Sequence, residues 1–155
     1  MKIVETFDLT EEQKRKALSL WNQEYPAQLM FADLNELNDY LIKLNRKKHY
    51  LLINQDNELL GWTFVFEREN ETWFAIILDS RIQRKGIGTK LIKNLQAKEE
   101  QLNGWVIDRS SDKKSSGNIY KSPINFYLKN GFALNSEYRL KNGRISAVKI
   151  VWIKN

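Results

Sequence analysis

The amino-acid sequence predicts an α+β fold, a mixed α/β arrangement of about seven strands and about four helices around one sheet. Three observations carry that expectation. Apolar runs at Tyr50 to Ile53, Leu59 to Glu67 and Thr72 to Leu78 are separated only by polar turns at Asn54 to Asn57 and Glu69 to Glu71, which reads as an antiparallel meander. The last of these runs passes through a two-glycine loop into an amphipathic helix and then a short strand, a unit expected to be parallel and right-handed. The chain closes with Phe132 to Leu140 and Ile145 to Ile153, a hairpin turning at Lys141-Asn142-Gly143.

Taken in order, Lys2 to Phe7 is a first strand, and Thr10 caps a helix to about Glu24 with Glu11 and Glu12 suited to its positive end. Tyr25-Pro26 interrupts it. Asp33 opens a second helix with Leu34, Leu37, Tyr40, Leu41 and Leu44 on one face, expected to end in the cations Arg46-Lys47-Lys48, with His49 marking that end. After the meander, Ile87, Leu91, Ile92, Leu95 and Leu102 share a helix face, and Gly104 is expected to end that helix before a strand from Trp105 to Asp108. Pro123 is tolerated in the first turn of a short helix behind Ser122. No linker, repeat or low-complexity segment divides the chain, so residues 1–155 read as one domain.

The chemistry concentrates at Gln83-Arg84-Lys85-Gly86-Ile87-Gly88, where the strand WFAIILDS ends and a helix begins. Two glycines at a helix mouth let backbone amides approach a ligand, and the unpaired first-turn N–H groups favour an anion. Between Ser80 and Lys98 stand Arg81, Arg84, Lys85, Lys90, Lys93 and Lys98 with no acidic residue, which suits a multiply charged phosphate. Two familiar phosphate loops do not fit. A Walker loop needs four residues between its glycines and a Lys-Ser or Lys-Thr pair after them, whereas Thr89 precedes Lys90 here. A dinucleotide fingerprint needs a small residue where Leu91 stands.

The remaining pattern, Gln-x-x-Gly-x-Gly, resembles the acetyl-CoA loop of the GCN5-related N-acetyltransferases (GNAT). A second segment, Ser122-Pro123-Ile124-Asn125-Phe126-Tyr127-Leu128-Lys129-Asn130-Gly131-Phe132, is similar to the last helix and strand entry of that family. The resemblance implies the GNAT fold, a mostly antiparallel sheet with a parallel, splayed pair in its middle, and acetyl-CoA as acyl donor with no metal. It implies that Gln83, Arg84, Lys85, Gly86, Ile87, Gly88 and Thr89 form the cofactor loop and that Asn125 contacts the cofactor. Gln83 is equally suited to bracing the loop. The backbone near Ile77 and Leu78 would stabilise the oxyanion, and Tyr127 would protonate the departing thiolate.

Acetyl transfer to a primary amine also needs a proton acceptor, because a free alkylamine has a pKa of roughly 10. Asp79, Asp108 and Glu67 are the candidates, with Asp108 preferred and water as the alternative. The family likeness carries a second reading as well, a non-catalytic acyl-CoA sensor on the same fold.

Composition bounds the rest. A net charge of +6 and a pI near 9.4 raise nucleic-acid binding, but no recognition module is present and a phosphate-rich cosubstrate accounts for the basic helix. The absence of cysteine removes disulfides and thiolate chemistry, and a single histidine cannot build a histidine metal cluster. No apolar run approaches a membrane span and no secretory pattern is visible at the N-terminus, so a cytoplasmic protein is expected. From Ala17 to Ile42 there is no Lys or Arg, while Glu24, Asp33, Glu36 and Asp39 are acidic; such a roof would steer a cationic acceptor, or simply solvate exposed helix faces. Trp21, Tyr25, Phe31 and Trp62 suit either the core or an acceptor pocket. The polar run Arg109 to Lys121 has the length of a lid. A homodimer would pair through an apolar edge at Ile145 to Ile153.

Overall fold

Seven strands and four helices build the chain around one twisted sheet, and the computed structural model describes residues 1–155. The elements are β1 (Lys2–Thr6), α1 (Glu11–Glu24), α2 (Leu34–Ile42), β2 (Asn45–Ile53), β3 (Leu59–Arg68), β4 (Glu71–Leu78), α3 (Ile87–Lys98), β5 (Gln101–Ile107), α4 (Ile124–Lys129), β6 (Ala133–Lys141) and β7 (Ser146–Ile153). Their order across the sheet is β1-β2-β3-β4-β5-β7-β6. Only β4 and β5 run parallel; every other neighbour pair is antiparallel.

Local chemistry explains the helix starts. The Thr10 hydroxyl accepts from the Gln13 N–H at 3.1 Å while the Gln13 side chain accepts from the Thr10 N–H at 2.8 Å, a reciprocal capping box for α1. Asp33 caps α2 by accepting from the Glu36 N–H at 3.0 Å. Both helices lie on one face, where Ala17, Leu20, Trp21, Leu37 and Leu41 pack on Trp62, Phe64, Phe66, Trp73 and Ile77. The other face receives α3 and α4 through Ile92, Leu95 and Tyr127, against Tyr50, Val65, Phe74, Val106 and Ile150. With helices on both sides, β3 is buried from Leu59 through Phe66, and its apolar run is continuous rather than alternating.

Three sequence expectations are corrected. Arg46-Lys47-Lys48 does not end α2 but opens β2, beside a register shift between Asn45 and Lys48. Its cations meet carboxylates from neighbouring elements: Arg46 lies 3.4 Å from Glu67, Lys47 3.9 Å from Asp8 and Lys48 2.8 Å from Glu5. His49 is consequently a buried strand residue, with its Nδ1 accepting from the Trp62 indole N–H at 3.0 Å.

The third helix stops at Lys98, and Leu102 and Gly104 belong to β5. Gly104 is there for space, since a Cβ would stand 2.9 Å from the Phe74 ring. Finally, β7 is not an edge. It lies between β5 and β6, so the edge strand at that side of the sheet is β6, the more exposed strand.

Candidate active site

The parallel pair barely pairs. Its single bridged register is Trp73↔Asn103, supported by the Asn103 amide donating to the Thr72 carbonyl at 3.1 Å. Beyond it the strands diverge, leaving the β5-facing edge of β4 without ladder bonds from Ala75 to Leu78. The direction of its amides follows from the other neighbour. The Asp79 N–H donates to the Leu60 carbonyl of β3 at 2.8 Å, and Leu78 faces Gly61 in register. Alternation along an antiparallel ladder therefore turns the N–H of Leu78 toward the cleft and that of Ile77 toward β3. Of the two expected oxyanion donors, Leu78 has the N–H available.

The glycine loop sits at the end of that strand. Gln83 donates through Nε2 to the Leu78 carbonyl at 2.8 Å, so its amide braces the loop against β4. Arg84 and Gly86 both take left-handed backbone, φ 62° and φ 79°, and Gly86 occupies the N-cap of α3 without any side-chain cap. Successive amides here, at the positive end of α3, form a concavity suited to an anion. Gly88 admits the Phe126 ring, which would lie 3.3 Å from a Cβ there, and so lets α4 close on α3. Lys85, Ile87 and Thr89 complete the turn, with Lys85 and Thr89 exposed. Arg84, Lys85, Lys90 and Lys93 have no partner among the ion pairs of the structure, so their charge is available to a ligand.

Helix α4 brings the second segment to the same cleft. Asn125 is exposed. Tyr127 is buried among Phe74, Phe126 and Phe132, with ring centroids 5.7, 5.1 and 5.4 Å away. Burial, with a smaller contribution from Tyr120, raises its phenol well above the ordinary value. Its neighbours repeat the pattern. Burial pushes Tyr120 up to about 12 and raises Tyr25 well above its usual value, and Tyr120 and Tyr127 both add to the Tyr25 shift. The Tyr25 ring, at α1's C-cap, and the Tyr120 ring, in the 109–121 run, stand 6.3 Å apart.

The carboxylate candidates are separated. Asp79 is buried and its Oδ1 accepts from both the backbone N–H and Nε of Arg81, at 2.9 and 3.0 Å, as a turn carboxylate does. Glu67 stands near the opposite end of β3, paired with Arg46. Asp108 follows β5 directly and accepts two bonds from Arg139 at 3.1 and 2.7 Å, which hold its carboxyl below the usual range.

The lid-length run and the acidic roof expected from the sequence are both tied into the fold. The run Arg109 to Lys121 is strapped to the end of α1 rather than free: the Ala27 N–H donates to the Lys113 carbonyl at 2.8 Å, Gln28 donates to Asp112 at 2.6 Å, and Lys114 lies 3.1 Å from Glu24. The acidic roof is also largely committed. Glu24 is buried in that ion pair, Asp33 caps α2, and Glu36 accepts from the Ala32 N–H at 3.0 Å. Tyr120, hidden in a polar run, carried no sequence signal beyond being its one aromatic residue.

The sequence profile of the acetyltransferase (GNAT) domain family matches residues 46–134, which contain both the glycine loop and α4. The chain belongs to the GNAT acetyltransferase family, a family of acyltransferases. An aminoglycoside 6'-N-acetyltransferase complexed with coenzyme A superposes with a TM-score of 0.74 at 14% identity, over 99% of this chain and 97% of that one. The PaiA N-acetyltransferase of Thermoplasma acidophilum, in complex with coenzyme A, gives 0.64 at 14% identity, over 99% and 100% of the two chains. The spermidine/spermine N-acetyltransferase SpeG of Vibrio cholerae gives 0.62 at 15% identity, over 97% and 92%. At these identities the likeness establishes the shared fold. No curated protein matches the sequence. No helix is long and apolar enough to cross a membrane.

Proposed function

We propose that this chain, acting as one domain, transfers the acetyl group of acetyl-CoA to a primary amine by direct attack on the thioester. The observation that carries the reading is the splay itself: an unpaired β4 edge presenting the Leu78 N–H, with the α3 N-terminus at one side and Tyr127 at the other. In this reading the amides from Arg84 to Thr89 hold the pyrophosphate, Arg84 and Lys85 add charge, Gln83 braces the loop, and exposed Asn125 contacts the cosubstrate. Ile77 contributes by fixing the strand from the opposite side.

The bookkeeping of bonds is simple. The amine nitrogen forms a bond to the acetyl carbon as the carbon–sulfur bond breaks. Leu78 donates to the carbonyl oxygen while negative charge develops there. The excess proton of the acceptor leaves toward Asp108. A carboxylate held low by Arg139 is a weak proton acceptor for an ammonium, so the favoured route is a water chain that Asp108 orients and that delivers the proton to bulk solvent. The thiolate, whose conjugate acid has a pKa of about 8.5 by analogy with cysteine, accepts a hydrogen bond and then a proton from Tyr127, and the phenol recovers its proton from solvent as CoA leaves. Burial keeps that phenol protonated throughout the working pH range, as a donor must be.

The test is a calorimetric titration of acetyl-CoA into wild type and Gly86→Glu. Gly86 has φ +79° at the helix mouth, so the substitution adds both strain and a repelling charge. Micromolar binding to wild type that is lost in the variant, with CoA released on adding an amine, is the expected result. No binding to wild type would remove the reading, while binding without turnover on any amine would leave only the sensor.

A further inference from the structure

The closed end of the splay is filled by side chains. One residue past the Trp73↔Asn103 bridge, the Phe74 ring lies across Gly104 of β5, so closely that a Cβ there would stand 2.9 Å from it. The ring is buried, and Tyr127 and Phe132 hold it from the α4 side with centroids 5.7 and 5.4 Å away. On the opposite face of the sheet Trp105 packs on Trp73 at 5.4 Å, so the same point is closed there too. Exposure along β4 changes here. Trp73 and Phe74 are buried, whereas Ala75, Ile76 and Leu78 are half-buried. The opening between the two strands therefore ends at Phe74.

A ligand anchored at the α3 mouth would enter from the other end. With its pyrophosphate on the amides from Arg84 to Thr89, the pantetheine arm of acetyl-CoA would run back along β4 from Leu78, and the acyl group is the part that reaches deepest. The alternation that turns the Leu78 N–H into the cleft turns that of Ile76 the same way, giving the arm a second donor nearer the closed end. Tyr127, the proposed donor to the sulfur, packs edge-on against Phe74. Carbons beyond the thioester are thus directed at the Phe74 ring, and a chain longer than acetyl must displace a close-packed side chain.

We propose that, in the acetyl-transfer reading on which this rests, Phe74 seated on Gly104 is the floor of the acyl site and sets the donor specificity, admitting acetyl-CoA and excluding longer acyl-CoA thioesters. Gly104 makes the floor possible, because a side chain there would meet the ring before it could cross to β5.

The test is a calorimetric titration with CoA, acetyl-CoA and butyryl-CoA, made without an amine so that it reads the site independently of turnover. Wild type should bind butyryl-CoA at least about tenfold more weakly than acetyl-CoA, the scale on which a misfit methylene is rejected by an apolar site. Phe74→Leu, which shortens the side chain, and Phe74→Met, which can bend aside, should bring the two thioesters to within about threefold of each other while CoA affinity stays within about threefold of wild type. Two variants are used because the ring also belongs to the core. Loss of CoA binding together with a lowered melting temperature marks a fold defect in one and leaves the other, and the wild-type comparison, to decide. Equal binding of acetyl-CoA and butyryl-CoA by wild type overturns the proposal, as does an unchanged preference in a variant that still binds CoA. Failure of the acetyl-transfer reading shows differently, as a wild type that binds no acetyl-CoA at all.

Discussion

The Glu24 carboxylate and the Lys114 ammonium face each other at 3.1 Å, with only 5% and 18% of their side chains exposed. One partner ends α1 and the other lies in the strap, and Glu24 Oε2 also accepts from the Ser80 N–H at 2.9 Å, at the start of the segment leading to the glycine loop. A single buried carboxylate thus ties together the strap, the end of β4 and the last turn of α1.

Removing one member should show that tie. Glu24→Gln leaves Lys114 buried without its counter-charge and should cost about 3 kcal/mol in urea unfolding, with faster proteolysis between Arg109 and Lys121. The double variant Glu24→Gln/Lys114→Met should recover much of the loss. An unchanged unfolding midpoint in the single variant would show that the pair contributes nothing.

Tyr127 offers a cleaner separation of roles, because its ring packs in the core while the proposed chemistry uses only the hydroxyl. Tyr127→Phe keeps the ring and should leave the melting temperature and acetyl-CoA affinity unchanged. Turnover should fall by about 10²-fold. A kcat equal to wild type would exclude the phenol as the thiolate's proton donor.

Stability should depend on pH through His49. Burial, assisted by Lys47, pushes its imidazole down to about 4 from an ordinary 6.5, and its Nδ1 must stay unprotonated to accept from Trp62. Because the folded value is the lower one, the unfolded chain binds the extra proton first. The contribution is complete above pH 6.5 and is lost as pH falls toward 4, reaching roughly 3 kcal/mol. Denaturant unfolding at several pH values should show this slope, and His49→Gln, being less stable at neutral pH, should flatten it. A parallel pair of curves for wild type and variant would assign the acid sensitivity elsewhere.

Much of this architecture is legible along the chain where local chemistry and tertiary packing agree. Thr10 announces a helix start that the fold uses unchanged, and the two glycines after LDS mark the loop at the α3 mouth, Gly86 because φ +79° strains any side chain there and Gly88 because a Cβ would crowd the Phe126 ring. Misreadings arise where a distant partner overrides a local preference. Arg46 to Lys48 suit a helix end, yet Glu67, Asp8 and Glu5 wait for them on and beside neighbouring strands. Gly104 suits a helix stop, yet its role is to admit Phe74 from the adjoining strand. The committed state of Glu24 and the convergence of Tyr25 on Tyr120 depend on a strap that returns from about ninety residues away, a distance over which periodicity carries no information.

The place of β7 has a consequence for how the chain comes together. Because β5 touches β4 at one bridged register only, its lasting attachment to the sheet is the ladder from Gln101↔Ile153 to Ile107↔Ala147. That partner is made some forty residues after β5. During synthesis the meander and α3 can consolidate early, while β5 and the cleft beside it wait for a strand that has not yet appeared. The same separation that opens the cleft in the finished protein makes its far wall the last part to be built.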